Sequence, residues 1–332
     1  MRDRPAPIPE GPRPLLPPRT VLAAATAALG LLAACSTAHG VVADLADEPE
    51  AIVFADFEDG DVKSGYPDIG HNECCSSSVQ VAGFGRDSDA SVRHELRQGD
   101  PPQAGGMRAE SDAMRVPEAR YGLGDTRYYA FSVYLPSTWE HDDRSGDIVF
   151  QWHNAPSPAE PCETRKAPSA FLQVHPHDGG EWRLRLNSDP NPCTTPETID
   201  KLHLGLGPIA LGEWTDFVFR FDWAYDDSGV VEVWQRTGAD PDWAHTHWEG
   251  PNTYNDAHDS GYIKWGLYKP GWNGGASSGV DKRAVFHDNI ALGTTCGSVM
   301  PPGWDPPCEA VPALSAAAAV PEPPAVRARR RR

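Results

Sequence analysis

Between Trp214 and Phe221 the chain reads Trp-Thr-Asp-Phe-Val-Phe-Arg-Phe, with aromatic rings at Phe217, Phe219 and Phe221 and other residues between them. A period of two is the signature of a strand with one buried face, since successive side chains point to opposite sides of a sheet. Helix-period stretches are nearly absent elsewhere. Segments rich in Val, Ile, Phe, Tyr and Trp recur at 131–135, 147–153, 171–174, 182–186, 214–223, 230–234, 262–268 and 284–292, bounded by Gly, Pro, Asp and Asn. This pattern predicts an all-β protein, a sandwich of two antiparallel sheets of jelly-roll type. No internal repeat and no internal linker divides it.

The ends read differently. Arg2, Arg4, Arg13 and Arg19 precede an apolar stretch, 20–34, that closes on Leu32-Ala33-Ala34-Cys35. A basic start, a short apolar run and small residues predict a secretory signal over 1–35. A bilayer-spanning helix needs about 20 apolar residues, more than this run supplies. Two readings stay open: a lipid anchor on Cys35 as the mature N-terminus, or an ordinary leader carrying a Cys near its end. The expected organisation is then a linker over 36–50, the folded domain over 51–296, a disulfide-closed extension over 297–310 and a tail over 311–332. The tail is Ala/Pro-rich, ends in an arginine cluster and lacks the apolar residues to build a core.

The formal charge is −18. The leader and tail hold nine of the 29 cationic side chains but three of the 47 acidic ones, so the body is more acidic still. Such a field repels nucleic acid and anionic membranes and disfavours a heavily sulfated ligand. A polyanionic partner would have to be met by a local basic groove. Setting Cys35 aside, six cysteines remain, an even number that suits an exported, disulfide-bonded chain. Expected pairs are Cys162–Cys193 and Cys296–Cys308, while the partners of the adjacent Cys74 and Cys75 stay open. No CxxC spacing argues for zinc. A monomer is expected.

Three short segments carry chemistry. In Phe150-Gln151-Trp152-His153, Gln151 and His153 share one face. In Tyr262-Ile263-Lys264-Trp265-Gly266-Leu267-Tyr268, the set Tyr262, Lys264 and Tyr268 alternates with apolar Ile263, Trp265 and Leu267. Arg108 and Glu110 flank Ala109. Each segment offers apolar groups to a core and polar groups to the other face. Arg, Gln, His, Lys and Tyr together suit β-elimination from a uronate. Arg and Gln can neutralise the carboxylate that must stabilise an enolate-like transition state. His and Tyr can take the C5 proton and protonate the departing O4. In gluco- or manno-configured uronates those two positions lie on one side of the ring, so a single Tyr could serve both.

Met107-Arg108-Ala109-Glu110, Gln151-Trp152-His153 and Tyr262-Ile-Lys264-Trp-Gly-Leu-Tyr268 resemble, in this order, the three motifs of the jelly-roll polysaccharide lyases. Alginate lyases of that type carry R-T/S-E-L, Q-I/V-H and Y-F-K-A-G-x-Y. The stretches 128–136 and 286–290 resemble more closely glucuronan lyases and heparin-lyase-I-like proteins. The resemblance covers about residues 51–296 and implies a concanavalin-A-like jelly roll. Carried over by residue, it implies that Arg108 and Gln151 bind the substrate carboxylate and that His153 is a base or carboxylate neutraliser. It makes Tyr268 the proton donor, with Lys264, Glu110 and Tyr262 lining the groove. Ser111, Trp152 and Trp265 depart from the alginate pattern, which points to a different polyuronate, best matched by β-1,4-glucuronan. No cofactor is expected in catalysis; Asp56, Glu58 and Asp288 are candidate ligands of a structural calcium through hard oxygens.

Blander readings compete. Arg108 and Glu110 suit a simple same-face ion pair, His153 a structural role, and Tyr268 a groove wall. A second Gln-x-His, Gln173-Val174-His175, competes with the first. The same sandwich also serves non-catalytic carbohydrate-binding proteins, and a jelly-roll glycoside hydrolase would need two carboxylates across a groove.

Overall fold

The computed structural model describes residues 50–155, 167–176, 180–256 and 260–308. Fifteen strands stand among these residues. They are β1 (Val53–Ala55), β2 (Gly70–Asn72), β3 (Val79–Ala82), β4 (Ser91–Arg97), β5 (Arg108–Asp112), β6 (Thr126–Tyr134), β7 (Asp147–Ala155) and β8 (Ala170–His175), followed by β9 (Glu181–Ser188), β10 (Asp200–Pro208), β11 (Trp214–Asp222), β12 (Val230–Thr237), β13 (Ala244–Glu249), β14 (Ser260–Tyr268) and β15 (Lys282–Gly293).

They form two antiparallel sheets. The first runs β13-β12-β11-β6-β15-β4-β3, and the second β10-β9-β8-β7-β14-β5-β2. The long β15 pairs with β4 through Lys282–His287 and with β1 through Ile290–Leu292. This is the expected sandwich.

The core sits between the sheets, and its contacts follow from alternation. Phe131 of β6 stacks on Phe150 of β7 with ring centres 4.0 Å apart. Trp152 lies 4.8 Å from both Phe219 and Phe221. Ile263, Trp265 and Leu267 are fully buried in the same cluster. Burying each such side chain contributes about 1.5–3 kcal/mol. Because these residues fill the core, their alternates on β5, β7 and β14 emerge on the outer face of the second sheet.

The eight segments read as strands are all strands, and Arg108-Ala109-Glu110, read by the same alternation, opens β5. The other six, β1, β2, β3, β4, β10 and β13, were not anticipated. β1 to β3 are three or four residues long, too short to show a period. β4 and β13 interleave charged and imidazole side chains, and β10 is an edge strand whose ladder shifts register between Gly205 and Gly207.

Cys296 and Cys308 are bonded as expected. The loop they close packs Trp304 with Trp234 and Val218 in a second apolar cluster behind the first sheet. Cys74 and Cys75 are bonded to each other. Cys193 is disulfide-bonded, while its expected partner Cys162 lies outside the described residues. So do the leader with Cys35 and the tail.

Candidate active site

β14 is the middle strand of the site, hydrogen-bonded to β5 on one side and β7 on the other. Its register sets Tyr262 opposite His153, Lys264 opposite Gln151 and Asp112, and Tyr268 opposite Arg108. The three segments singled out by pattern are thus neighbours. Gly266 allows the fit. It has φ +124°, and a Cβ there would stand 2.5 Å from the Ala109 carbonyl oxygen and 2.9 Å from Glu110 Cα. Only glycine tolerates both the conformation and the contact.

Glu110 is the hub. Its Oε2 accepts from Lys264 Nζ at 2.6 Å and Arg108 Nη1 at 3.1 Å, and its Oε1 accepts from the Gln151 side-chain amide. The residue is 1% exposed. A buried carboxylate persists only when its partners are charged and well placed. Glu110 therefore holds Arg108, Lys264 and Gln151 together. With both oxygens engaged, it is also a poor candidate for a hydrolase acid.

Arg108 keeps a donor free: its buried Nε has no hydrogen-bond partner among the described residues. Its guanidinium carbon lies 4.2 Å from the centre of the Tyr268 ring. The Tyr268 hydroxyl accepts from Asn273 Nδ2 at 2.8 Å, and Asn273 Oδ1 accepts from the Met107 amide at 2.8 Å. Because the amide donates, the phenolic proton stays available to another acceptor.

His153 Nδ1 donates to the Asn154 carbonyl at 2.8 Å in the neutral tautomer, which leaves the lone pair on Nε2. Burial pushes its pKa below the ordinary value, and the Lys264 and Arg108 charges push the same way against Glu110. His153 is therefore held in its neutral form at pH 7. The Tyr262 ring lies 5.5 Å away, its hydroxyl pKa raised by burial and by Asp112 and Glu110.

Two features escaped the sequence reading. Asn273 sits in the Gly-rich turn Pro270–Gly275, where nothing in the pattern marks it. Lys269, next to Tyr268, is fully buried. It binds Asp142 at 2.7 Å, Asp147 at 3.2 Å and the Ser145 carbonyl at 2.6 Å, while Arg283 binds Asp147 at 3.1 Å. This network ties the end of β14 to β7 and β15.

The competing pair lies on the same face, one strand further on. Gln173 stands opposite Ile148, and His175 faces Glu181 at 3.9 Å. Neither reaches Glu110. A cleft of about 430 Å³ opens elsewhere, among Arg93, Trp139, Arg283 and Phe286. The constellation itself lies on the outer face of the second sheet.

Asp56, Glu58 and Asp288 do not converge as a three-carboxylate cluster among the described residues. Glu58 accepts from the Ala90 amide, and Asp288 accepts from the Arg86 and Asn289 amides and Ser88. Burial raises the Asp288 pKa to about 6, with Glu58 adding to the rise.

A polysaccharide lyase family model matches residues 57–291. No curated protein sequence matches the chain. Among solved structures, the fold is similar to that of an endo-β-1,4-glucuronan lyase from the fungus Trichoderma reesei. The TM-score is 0.60 at 19% identity, covering 75% of this chain and 98% of the other. It is also similar to a PL-14 alginate lyase from Aplysia kurodai, with a TM-score of 0.52 at 10% identity, covering 74% and 100%. Since the family match takes in the three strands that carry Arg108, Gln151, His153 and Tyr268, the chain belongs to the polysaccharide lyases.

Proposed function

We propose that this lyase cleaves a uronic-acid polysaccharide by β-elimination, with β-1,4-glucuronan as its preferred substrate. The observation that carries the reading is the Glu110 hub, which holds two cations and an amide beside a tyrosine with an available phenolic proton. Arg108, whose side chain stays partly exposed, and Gln151 neutralise the uronate carboxylate, so that charge leaving C5 is stabilised as an enolate. A base removes the C5 proton, the C4–O4 bond breaks, a C4=C5 double bond forms, and O4 leaves protonated. Tyr268 delivers the proton to O4. It also serves as the base when both events occur on one face of the ring; otherwise neutral His153 does. Neither route needs a metal or organic cofactor. The leader-like start supports export to the cell surface or beyond.

The choice of glucuronan rests on the motif departures, on the similarity to a glucuronan lyase and on the acidic body, which disfavours sulfated chains. Ultraviolet absorbance of the unsaturated product tests it directly. Glucuronan should be cleaved faster than alginate or heparin. Faster product formation on heparin overturns the substrate choice, and no product from any polyuronate overturns the reaction.

A further inference from the structure

The face that carries Glu110 continues past β7. Residues paired across successive ladders run Lys264, Gln151, Phe171, Arg185 and His203, one each from β14, β7, β8, β9 and β10. Their neighbours Ile263, Trp152, Leu172, Leu184 and Leu186 fill the core, so the row lies on the outer face. Strands are about 4.8 Å apart, which sets Arg185 about 10 Å from Gln151.

Arg185 is unusual in a chain of charge −18. Among the described residues it has no carboxylate partner. Arg183 beside it is bound to Glu181, and Arg108 to Glu110. Burial pushes the Arg185 pKa down, opposed by the nearby Tyr254 phenol and by no carboxylate. The side chain is nevertheless fixed. Its Nε donates to Asn187 Oδ1 at 3.0 Å, Asn187 is anchored to the Pro168 carbonyl at 2.6 Å, and the guanidinium carbon stands 5.4 Å from the centre of the Phe171 ring. Its terminal amino groups remain for a ligand, in the planar fork that suits a carboxylate.

Resting on the lyase reading above, we propose that Arg185 is a second carboxylate anchor, holding the uronate next but one to the ring bound at Gln151 and Arg108. In a 1,4-linked chain with two-fold character, alternate rings turn over, and carboxylates return to one side at every second ring. Each ring advances by close to one strand spacing, about 4.8 Å, so that repeat matches the Gln151-to-Arg185 distance. Phe171 and Asn187 position the guanidinium. The anchor lies away from the reacting bond, so it binds ground and transition states alike and acts on KM.

The test compares wild type, Arg185→Gln and Arg185→Lys on glucuronan polymer and on oligomers too short to reach β9. Thermal melting verifies folding, and Phe171→Leu serves as a second variant that loosens the guanidinium without removing it. Arg185→Gln should raise KM for polymer about tenfold, the scale of one charge-assisted hydrogen-bonded contact, with kcat nearly unchanged. Short oligomers should not distinguish the variants, and Arg185→Lys should recover part of the loss. An unchanged polymer KM in an active Arg185→Gln enzyme overturns the anchor and leaves the lyase reading standing. If wild type cleaves no polyuronate, the lyase reading falls first. Calorimetric titration of glucuronan oligomers into wild type and Arg185→Gln then decides on the anchor alone: weaker binding by the variant supports it, and equal affinity overturns it.

Discussion

Tyr268→Phe isolates the proposed proton donor. The substitution removes one hydroxyl and keeps the ring, so the Arg108 guanidinium 4.2 Å above it retains its stacking partner. The one hydrogen bond lost, from Asn273 Nδ2, contributes a net of about 0.5–1.5 kcal/mol to stability. The chemical step should suffer far more. Loss of a positioned acid or base slows turnover about 10²–10⁴-fold, equivalent to about 2.7–5.4 kcal/mol of barrier. The assay is initial-rate formation of unsaturated uronate at saturating glucuronan, beside a denaturant titration of the same preparation. Asn273→Ala provides the intermediate case, since the hydroxyl remains but loses its fixed orientation. A folded Tyr268→Phe enzyme turning over at close to the wild-type rate would refute the assignment and most of the mechanism built on this face.

Glu110→Gln should leave the buried Lys264 and Arg108 charges uncompensated and cost about 3–5 kcal/mol in a denaturant titration; unchanged stability would show that the hub is not needed. Gly266→Ala should lower the melting temperature sharply, because the added Cβ meets the β5 backbone at a positive φ. Leu267→Ala should cost about 2–5 kcal/mol, as for any fully buried core leucine, and wild-type stability would contradict its inward orientation. Acid should destabilise the fold through His94 and His287, whose folded pKa values are lowered by burial, that of His287 to about 3. Their contribution is present above the unfolded value near 6.5 and is lost as pH falls toward the folded value, by about 1.4 kcal/mol per pH unit for each histidine. Urea midpoints measured from pH 7 to pH 4 should fall with acid, and a flat profile would exclude this account.

What could be read from the chain was what side-chain alternation determines locally. The order Phe150-Gln151-Trp152-His153 already assigns the inner and outer faces of β7, and Tyr262 to Tyr268 does the same for β14. Partnership across distance was not legible. Lys264 and Glu110 meet from positions 154 residues apart, and nothing in Arg108-Ala109-Glu110 reveals that its carboxylate gathers three donors. The Lys269 network draws acids from a loop and a strand more than a hundred residues upstream. Nor does proximity of strands reveal convergence: Asp56, Glu58 and Asp288 form no tight three-carboxylate cluster among the described residues.

Active centres are commonly mounted on loops, in the part of a protein that opens most readily. Here β14 is bonded on both edges, to β5 and to β7, and β7 in turn to β8. The amides of Gln151 and Lys264 should therefore be among the slowest to exchange with deuterated solvent, although their side chains serve an outward-facing site. Opening these ladders would mean opening the centre of the second sheet. Warming should then produce no folded but inactive species: the loss of catalytic function and the cooperative melting of the sandwich should follow a single curve.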